Sequence, residues 1–139
     1  MILLDTNVLS ESLKPAPSAS VLEWLEGQPR PSLFTTTLTR AELLHGLCLL
    51  PLGARRSRLE AAVRDLLAEG FAGRVIEFDS GAAEAYANIA CSRKAEGRPI
   101  SQTDAMIAAI AKSRGAELAT RNTSDFEGCG ITLINPWRH

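Results

Sequence analysis

The run Ile2–Leu4 is apolar at every position and ends directly at Asp5, which is followed by Thr6 and Asn7. A strand without polar alternation is typical of a parallel sheet whose two faces are both covered by helices. Ligands of such sheets bind at the carboxyl ends of the strands. Asp5 therefore occupies a position where a functional site is expected, provided that other polar groups meet it there.

Predicted strands and helices alternate along the rest of the chain. Further strands are predicted at 33–37, 74–78, 117–120 and 131–134, and helices at about 21–25, 40–50, 55–69, 81–96 and 102–115. This alternation predicts an α/β fold with a mostly parallel sheet and right-handed crossovers. A chain of 139 residues is expected to form a single domain, 1–139, with a core of its own.

Composition excludes several classes of protein. Hydrophobic residues make up 45% and charged residues 22% of the chain, the balance of a soluble globular protein. We find no apolar run of transmembrane length and no secretory leader, so we expect a cytoplasmic protein without membrane association. The formal net charge of −1 means that nucleic acid could be bound only by local basic patches. Two basic segments are candidates, although each taken alone is more typical of a solvated helix face than of a binding patch. They contain Arg55, Arg56, Arg58 and Arg64, and Arg93, Lys94 and Arg98.

Three acids share one local setting, three residues after a potential helix cap. The pairs are Thr39 with Glu42, Ser101 with Asp104, and Asn122 with Asp125. This spacing is that of a capping box, in which the acid bonds back to the amide of the cap residue, so a purely structural role is one interpretation. However, each pair follows a predicted strand or a loop just after one. All three acids are therefore expected at the edge of the sheet where Asp5 lies.

Four carboxylates at one place repel each other unless protons or a cation are bound. The chain has no C-x-x-C pair and only two isolated histidines, so a metal would be held by oxygen atoms. An all-oxygen site suits Mg²⁺ or Mn²⁺. Such an ion can activate water and stabilise the charge that develops when a phosphodiester is attacked. The residues alone predict metal-dependent phosphoryl chemistry and do not define the substrate.

Several segments, taken together and in order, resemble the PIN-domain nucleases, and most closely the VapC/FitB group. They are LLDTNVLSE, TRAELLHGL, TDAMIAAIA and ATRNTSDFEG with the ending ITLINPW. The resemblance spans almost the whole chain. It implies the three-layer α/β/α PIN fold around a parallel sheet. It also implies magnesium-dependent endonucleolytic cleavage of RNA, often transfer RNA, by the toxin of a bacterial toxin–antitoxin pair.

By this resemblance, Asp5, Glu42 and Asp104 match the acidic metal-site positions of the family. Relatives place the fourth acid either at the position of Asn122 or three residues later, where this chain has Asp125. Two roles are open for the neighbouring polar groups: they orient the acids, or they only form turns and helix caps. These residues are Thr6, Asn7, Thr120 and Asn122. The family further implies a homodimer and a small antitoxin of the VapB/FitA type. Operator DNA would be bound only through that antitoxin.

Two alternative functions remain open on the sequence. The first is a PIN-like dimer of little catalytic activity that acts with its antitoxin in binding operator DNA. The second is a phosphatase of the haloacid-dehalogenase type, since those enzymes also place an aspartate at the end of the first strand. That chemistry needs a second aspartate two residues later, whereas this chain has Asn7, which cannot serve as an acid or base.

Overall fold

The computed structural model describes residues 1–139 and contains a five-stranded sheet whose strand pairings are all parallel. The strands are β1 (Ile2–Leu4), β2 (Leu33–Thr36), β3 (Val75–Ile76), β4 (Glu117–Ala119) and β5 (Leu133–Ile134). They lie in the order β3-β2-β1-β4-β5, so β1 is central. The helices are α1 (Thr6–Ser12), α2 (Ala19–Glu26), α3 (Thr37–Cys48), α4 (Ala54–Asp65), α5 (Ser80–Ala95) and α6 (Gln102–Arg114).

The side chains of β1 alternate between two hydrophobic cores. Ile2 and Leu4 belong to a core built with α1, α2, α3 and α4, whereas Leu3 belongs to a core built with α5 and α6. All three residues are buried because each face of the sheet is covered by helices. The predicted three-layer α/β/α architecture with a parallel sheet is therefore confirmed.

Helix α1 was not predicted, although it follows β1 without a loop. The amide of Asp5 continues the sheet by donating to the Ala119 carbonyl oxygen at 2.9 Å. The Asp5 carboxylate then accepts from the amide of Thr6 at 2.8 Å and caps the helix. One residue thus ends the strand and begins the helix. Aspartate is a favoured N-cap, so this signal was present in the sequence.

Several predicted boundaries are wrong by a few residues. Helix α3 begins at Thr37, three residues before the predicted start, because Thr36 is its cap. The predicted strands 74–78 and 131–134 are reduced to the two-residue strands β3 and β5. Both lie at the edges of the sheet and pair with a single neighbour, so fewer backbone bonds extend them.

No helix of the protein combines the length and the apolar character that crossing a bilayer requires. The longest helix, α5, has 16 residues and carries charged side chains in its last turn. The cytoplasmic location stays a prediction.

Candidate active site

Three of the four predicted acids line a single cavity of about 400 Å³ at the carboxyl end of β1. Asp5 follows β1, Glu42 lies on α3, and Asp104 lies in the first turn of α6. Asp125 does not line this cavity, although its negative charge acts on Asp104. The structure therefore brings together acids from three segments that are far apart in the sequence.

Asp5 is held by three donors and is only 6% exposed. Its Oδ1 accepts from the Thr6 amide at 2.8 Å, and its Oδ2 accepts from the Thr120 hydroxyl at 2.8 Å and from the Asn7 side-chain amide at 3.3 Å. Burial raises the pKa of Asp5 above its ordinary value, and the negative charges of Asp104 and Glu42 raise it further. The bonds from Thr120 and Thr6 oppose this rise.

Glu42 is not part of a capping box. The cap of α3 is Thr36, whose hydroxyl accepts from the amide of Thr39 at 3.1 Å. Glu42 therefore lies in the second turn, where its Oε1 accepts from the Thr6 hydroxyl at 2.7 Å. The hydroxyls of Thr6 and Thr39 are 3.1 Å apart. The predicted role of Thr39 as the cap is wrong, and the cap pattern does not explain why Glu42 is at this place.

Asp104 fits the capping prediction only in part. Ser101 caps α6 and accepts from the Asp104 amide at 3.2 Å, as predicted. The return bond of a capping box, from the Ser101 amide to the carboxylate, is absent. Burial raises the pKa of Asp104, the Ser101 hydroxyl lowers it, and the charges of Asp125 and Glu42 raise it. The Asp104 carboxylate is therefore left available to a ligand in the cavity.

The fourth acid is the least constrained of the set. Asp125 is exposed, and only its backbone is bonded to Asn122, through the Asn122 carbonyl oxygen at 3.0 Å. The side chain of Asn122 makes no cap, so the predicted capping role of Asn122 is wrong. Asn122 lines the cavity instead, and its amide donates to the Thr120 hydroxyl at 3.1 Å. Both residues thus lie beside the acids, but only Asn122 contacts the cavity.

The donor set fits a hard divalent cation in its chemistry. The cavity offers carboxylate oxygens, and the raised pKa values of Asp5 and Asp104 reflect burial and mutual repulsion that a cation would offset. No group of three or more His, Cys, Asp or Glu side chains is arranged to hold one ion together. Mg²⁺ does not require such a group, because it commonly takes one or two protein carboxylates and keeps several waters.

Five residues that line the cavity were not predicted. Two of them, Ser10 and Glu11, lie on the unpredicted helix α1, and Lys14 lies just after it. The other two, Arg121 and Trp137, lie in the segments after β4 and β5. Glu11 accepts from the Lys14 ammonium at 3.0 Å and from the amide of Ser18 at 2.9 Å, and these bonds lower its pKa. Recognising Asp5 as a helix cap would have placed Glu11 and Lys14 near the site.

Comparison of this sequence with models of known protein families identifies one family. A model of the PIN domain matches residues 2–128, a stretch that includes all four predicted acids. The chain belongs to the PIN domain family. This assignment confirms the resemblance seen in the sequence motifs and leaves no support for the haloacid-dehalogenase alternative. In agreement with it, Asn7 acts as a hydrogen-bond donor to Asp5 and Thr120.

Several PIN-domain relatives match this chain over nearly its whole length. It is 43% identical to the plasmid stability protein StbB of Pseudomonas syringae, 41% to VapC ribonuclease Y4jK of Sinorhizobium fredii and 38% to toxin FitB of Neisseria gonorrhoeae. Each alignment covers 99% of this chain and 98–99% of the relative. The solved structure of FitAB bound to an IR36 DNA fragment superposes with a TM-score of 0.94 at 37% identity, covering 100% of this chain and 97% of that one.

Proposed function

We propose that this PIN-domain chain is a metal-dependent endoribonuclease and the toxin of a toxin–antitoxin pair. The observation that carries the proposal is the convergence of Asp5, Glu42 and Asp104 in one cavity. Neither Glu42 nor Asp104 makes the capping-box bond that would give it a purely structural role. Relatives with about 40% identity are named a VapC ribonuclease and a toxin, which supports the same function. Transfer RNA is the expected substrate class, on the resemblance alone.

Asp5, Glu42 and Asp104 would hold Mg²⁺ or Mn²⁺ together, one or two of them directly and the rest through bound water. When bound, such an ion supplies water of lowered pKa for in-line attack on phosphorus and offsets the negative charge of the phosphate. Thr120, Asn7 and the Thr6 amide fix the direction of the Asp5 carboxylate. The Thr6 hydroxyl does the same for Glu42, since it is bonded to Oε1. The expected leaving group is a 3′-hydroxyl.

Asp125 would act at a distance from the ion held by the other acids. It is exposed and does not line the cavity, yet its charge contributes to the raised pKa of Asp104. Asp125 would use that charge to help hold a second ion or to orient the attacking water. Asn122 would contact the substrate, since this residue lines the cavity.

The expected partner is a small antitoxin that inhibits by reaching the acids. A second cavity of about 510 Å³ shares Thr6 and Glu42 with the site. It is lined by apolar residues of α3 and α4, such as Leu43 and Leu59, and by the basic residues Arg55 and Arg58. An amphipathic antitoxin tail fits this groove, and an arginine on it would pair with the carboxylates and displace the cation. Operator DNA would be bound through the antitoxin, as the similarity to FitAB bound to IR36 DNA supports.

Induced expression tests the proposal in cells. Wild-type protein should stop growth. Extracted RNA should carry new 3′-hydroxyl ends, because the 3′-hydroxyl is the expected leaving group of the cleavage. Asp104→Asn should relieve the arrest, whereas Glu84→Gln, a matched change of an exposed acid on α5 outside the cavity, should not. Growth arrest that persists undiminished in Asp104→Asn would contradict the nuclease proposal and favour a non-catalytic role with the antitoxin.

The antitoxin mechanism needs its own test. The small open reading frame beside the gene should encode a protein that restores growth when it is expressed together with the toxin. Removal of its basic carboxyl-terminal tail should abolish inhibition of RNA cleavage in vitro while leaving DNA binding intact. Full inhibition by the tail-less antitoxin would show that it does not act on the acid site.

A further inference from the structure

The acid cavity is lined by two basic side chains, Lys14 and Arg121, and they differ in their bonding. Lys14 is paired with Glu11 at 3.0 Å. Arg121 makes no salt bridge and no side-chain hydrogen bond, and its guanidinium carbon lies 5.1 Å from the ring centroid of Trp137. The N–H donors of Arg121 are therefore free to bind a ligand in a cavity whose other charged groups include Asp5, Glu42 and Asp104.

The backbone of Arg121 is tied to the acid site. Its amide donates to Oδ1 of Asn7 at 3.1 Å, and the side-chain amide of Asn7 donates to Asp5 at 3.3 Å. The preceding residue, Thr120, donates to the same carboxylate at 2.8 Å. Arg121 therefore directly follows a residue that donates a hydrogen bond to Asp5. The side chain of Arg121 is exposed to solvent.

Trp137 is fixed independently of Arg121. Its ring is half-buried and packs against the core formed by α1 to α4. Its amide donates to the side chain of Asn135 at 3.0 Å, and the carbonyl of the preceding Pro136 accepts from the Ser20 hydroxyl at 3.0 Å. The indole therefore gives the guanidinium a preset surface, which lowers the entropy that Arg121 loses when it binds a ligand.

An acidic cavity repels the RNA backbone unless positive charge lies beside it. A guanidinium presents paired N–H donors that match two phosphate oxygens, and its open face can stack on a base. We propose that Arg121, held against Trp137, binds a backbone phosphate of single-stranded RNA next to the phosphate that is cleaved. This inference rests on the proposed function, because it assumes that RNA enters the acid cavity. Arg121 contacts the substrate, and Trp137 is a positioning residue.

Fluorescence anisotropy with a labelled single-stranded RNA oligonucleotide tests this assignment. All proteins carry Asp104→Asn, so that RNA is bound and not consumed, and Mg²⁺ is present. Arg121→Gln should weaken binding about tenfold relative to Arg138→Gln. Arg138 is the matched control because it is exposed, adjacent to Trp137 and outside the cavity. Thermal unfolding followed by circular dichroism should be the same for both variants, since each changes an exposed side chain.

The salt dependence separates a phosphate contact from a structural role. Loss of one phosphate contact on a single strand should reduce the slope of log Kd against log salt concentration by about 0.7. Arg121→Lys should keep the wild-type slope because the charge remains, while binding weakens a few-fold through loss of the paired donors. Trp137→Leu should also keep the slope and weaken binding about threefold, because only the positioning of Arg121 is lost.

The outcomes distinguish this inference from the proposed function. Equal RNA binding and equal slopes in Arg121→Gln and Arg138→Gln would overturn the inference and leave the nuclease proposal intact. Arg121-dependent RNA binding in a protein that does not cleave RNA, even with Asp104 restored, would support the inference and contradict the nuclease proposal. If the protein binds no RNA at any salt concentration tested, both are overturned.

Discussion

Asp5 and Asp104 are carboxyl groups whose surroundings favour the protonated form when no cation is bound. Burial is the largest cause of the raised pKa of each, and neighbouring acids raise the pKa further. The folded protein therefore binds these protons more tightly than the unfolded chain does. As a result, the stability of the metal-free protein should fall as pH rises from the pKa of unfolded aspartate, about 3.9, through the raised folded values.

Asp104→Asn should remove part of this pH dependence. At neutral pH the metal-free variant should unfold about 2–5 °C above the wild type, because a partly buried charge beside Asp125 and Glu42 is gone. The cap bond from the Asp104 amide to Ser101 uses the backbone and is kept. The difference should vanish near pH 3.5, where both states of the wild type are largely protonated. A variant that is less stable than the wild type at pH 7 would contradict the repulsion described for this site.

Asp125→Asn should lower the maximal rate of RNA cleavage several-fold and change the Mg²⁺ concentration for half-maximal rate much less. The reason is that Asp125 is exposed and acts on the site through its charge on Asp104. Adding Asn122→Asp should partly restore the rate, since Asn122 lines the cavity and the charge returns beside the acids. Unchanged activity in Asp125→Asn at saturating Mg²⁺ would show that Asp125 is not part of the site.

Asn122→Ala should lower the free energy of unfolding by less than about 0.5 kcal/mol, because the side chain of Asn122 makes no cap.

Among the helices and loops, the segment that carries Asp125 depends on one buried arginine of α5. Arg93 is 5% exposed and donates to the carbonyl oxygens of Arg98, Asp125 and Glu127 at 2.7–3.0 Å. The sequence suggested that Arg93 belongs to a basic surface patch, and this is wrong because its guanidinium points into the protein. Arg93 instead joins the end of α5 to the loop after β4.

Arg93→Met should lower the free energy of unfolding by roughly 2–4 kcal/mol, since three backbone carbonyl oxygens lose a charged donor that is itself buried. The control is Arg98→Gln, which removes only the exposed ion pair with Glu127 and should cost less than about 1 kcal/mol. Urea denaturation measures both values. Equal stability of the two variants would show that the hydrogen bonds of Arg93 do not hold this loop.

The order of the strands and the three central acids could be predicted, whereas the local geometry around them could not. The all-apolar strand Ile2–Leu4 and the acids that follow later strands carry that information, because parallel strands end at one edge. The cap residue of α3 could not be predicted, since Thr36, Thr37 and Thr39 are equally good caps in the sequence. Only packing selects Thr36. Arg121 and Trp137 meet only through tertiary contacts between segments after β4 and β5.

For the whole molecule, we expect a homodimer at micromolar concentration. Two large apolar side chains remain exposed at the end of α3 and just beyond it, Leu49 at 72% and Leu52 at 87%. A self-complementary contact between two copies is a natural use of such residues. Light scattering should give twice the mass of the chain, and Leu49→Asp with Leu52→Asp should weaken the dimer if these residues lie in it. A monomer of the wild-type protein by light scattering would contradict the dimer.

We propose that the carboxylates in the cavity form a metal-dependent ribonuclease site. The most direct test of this claim is the initial rate of RNA cleavage as a function of Mg²⁺ concentration, measured in parallel for the wild type and Asp104→Asn. We predict saturable activation of the wild type, complete loss of activity with a chelator, and a rate at least about 100-fold lower in Asp104→Asn at every Mg²⁺ concentration. Cleavage by Asp104→Asn at the wild-type rate, or cleavage that the chelator does not affect, would contradict the claim.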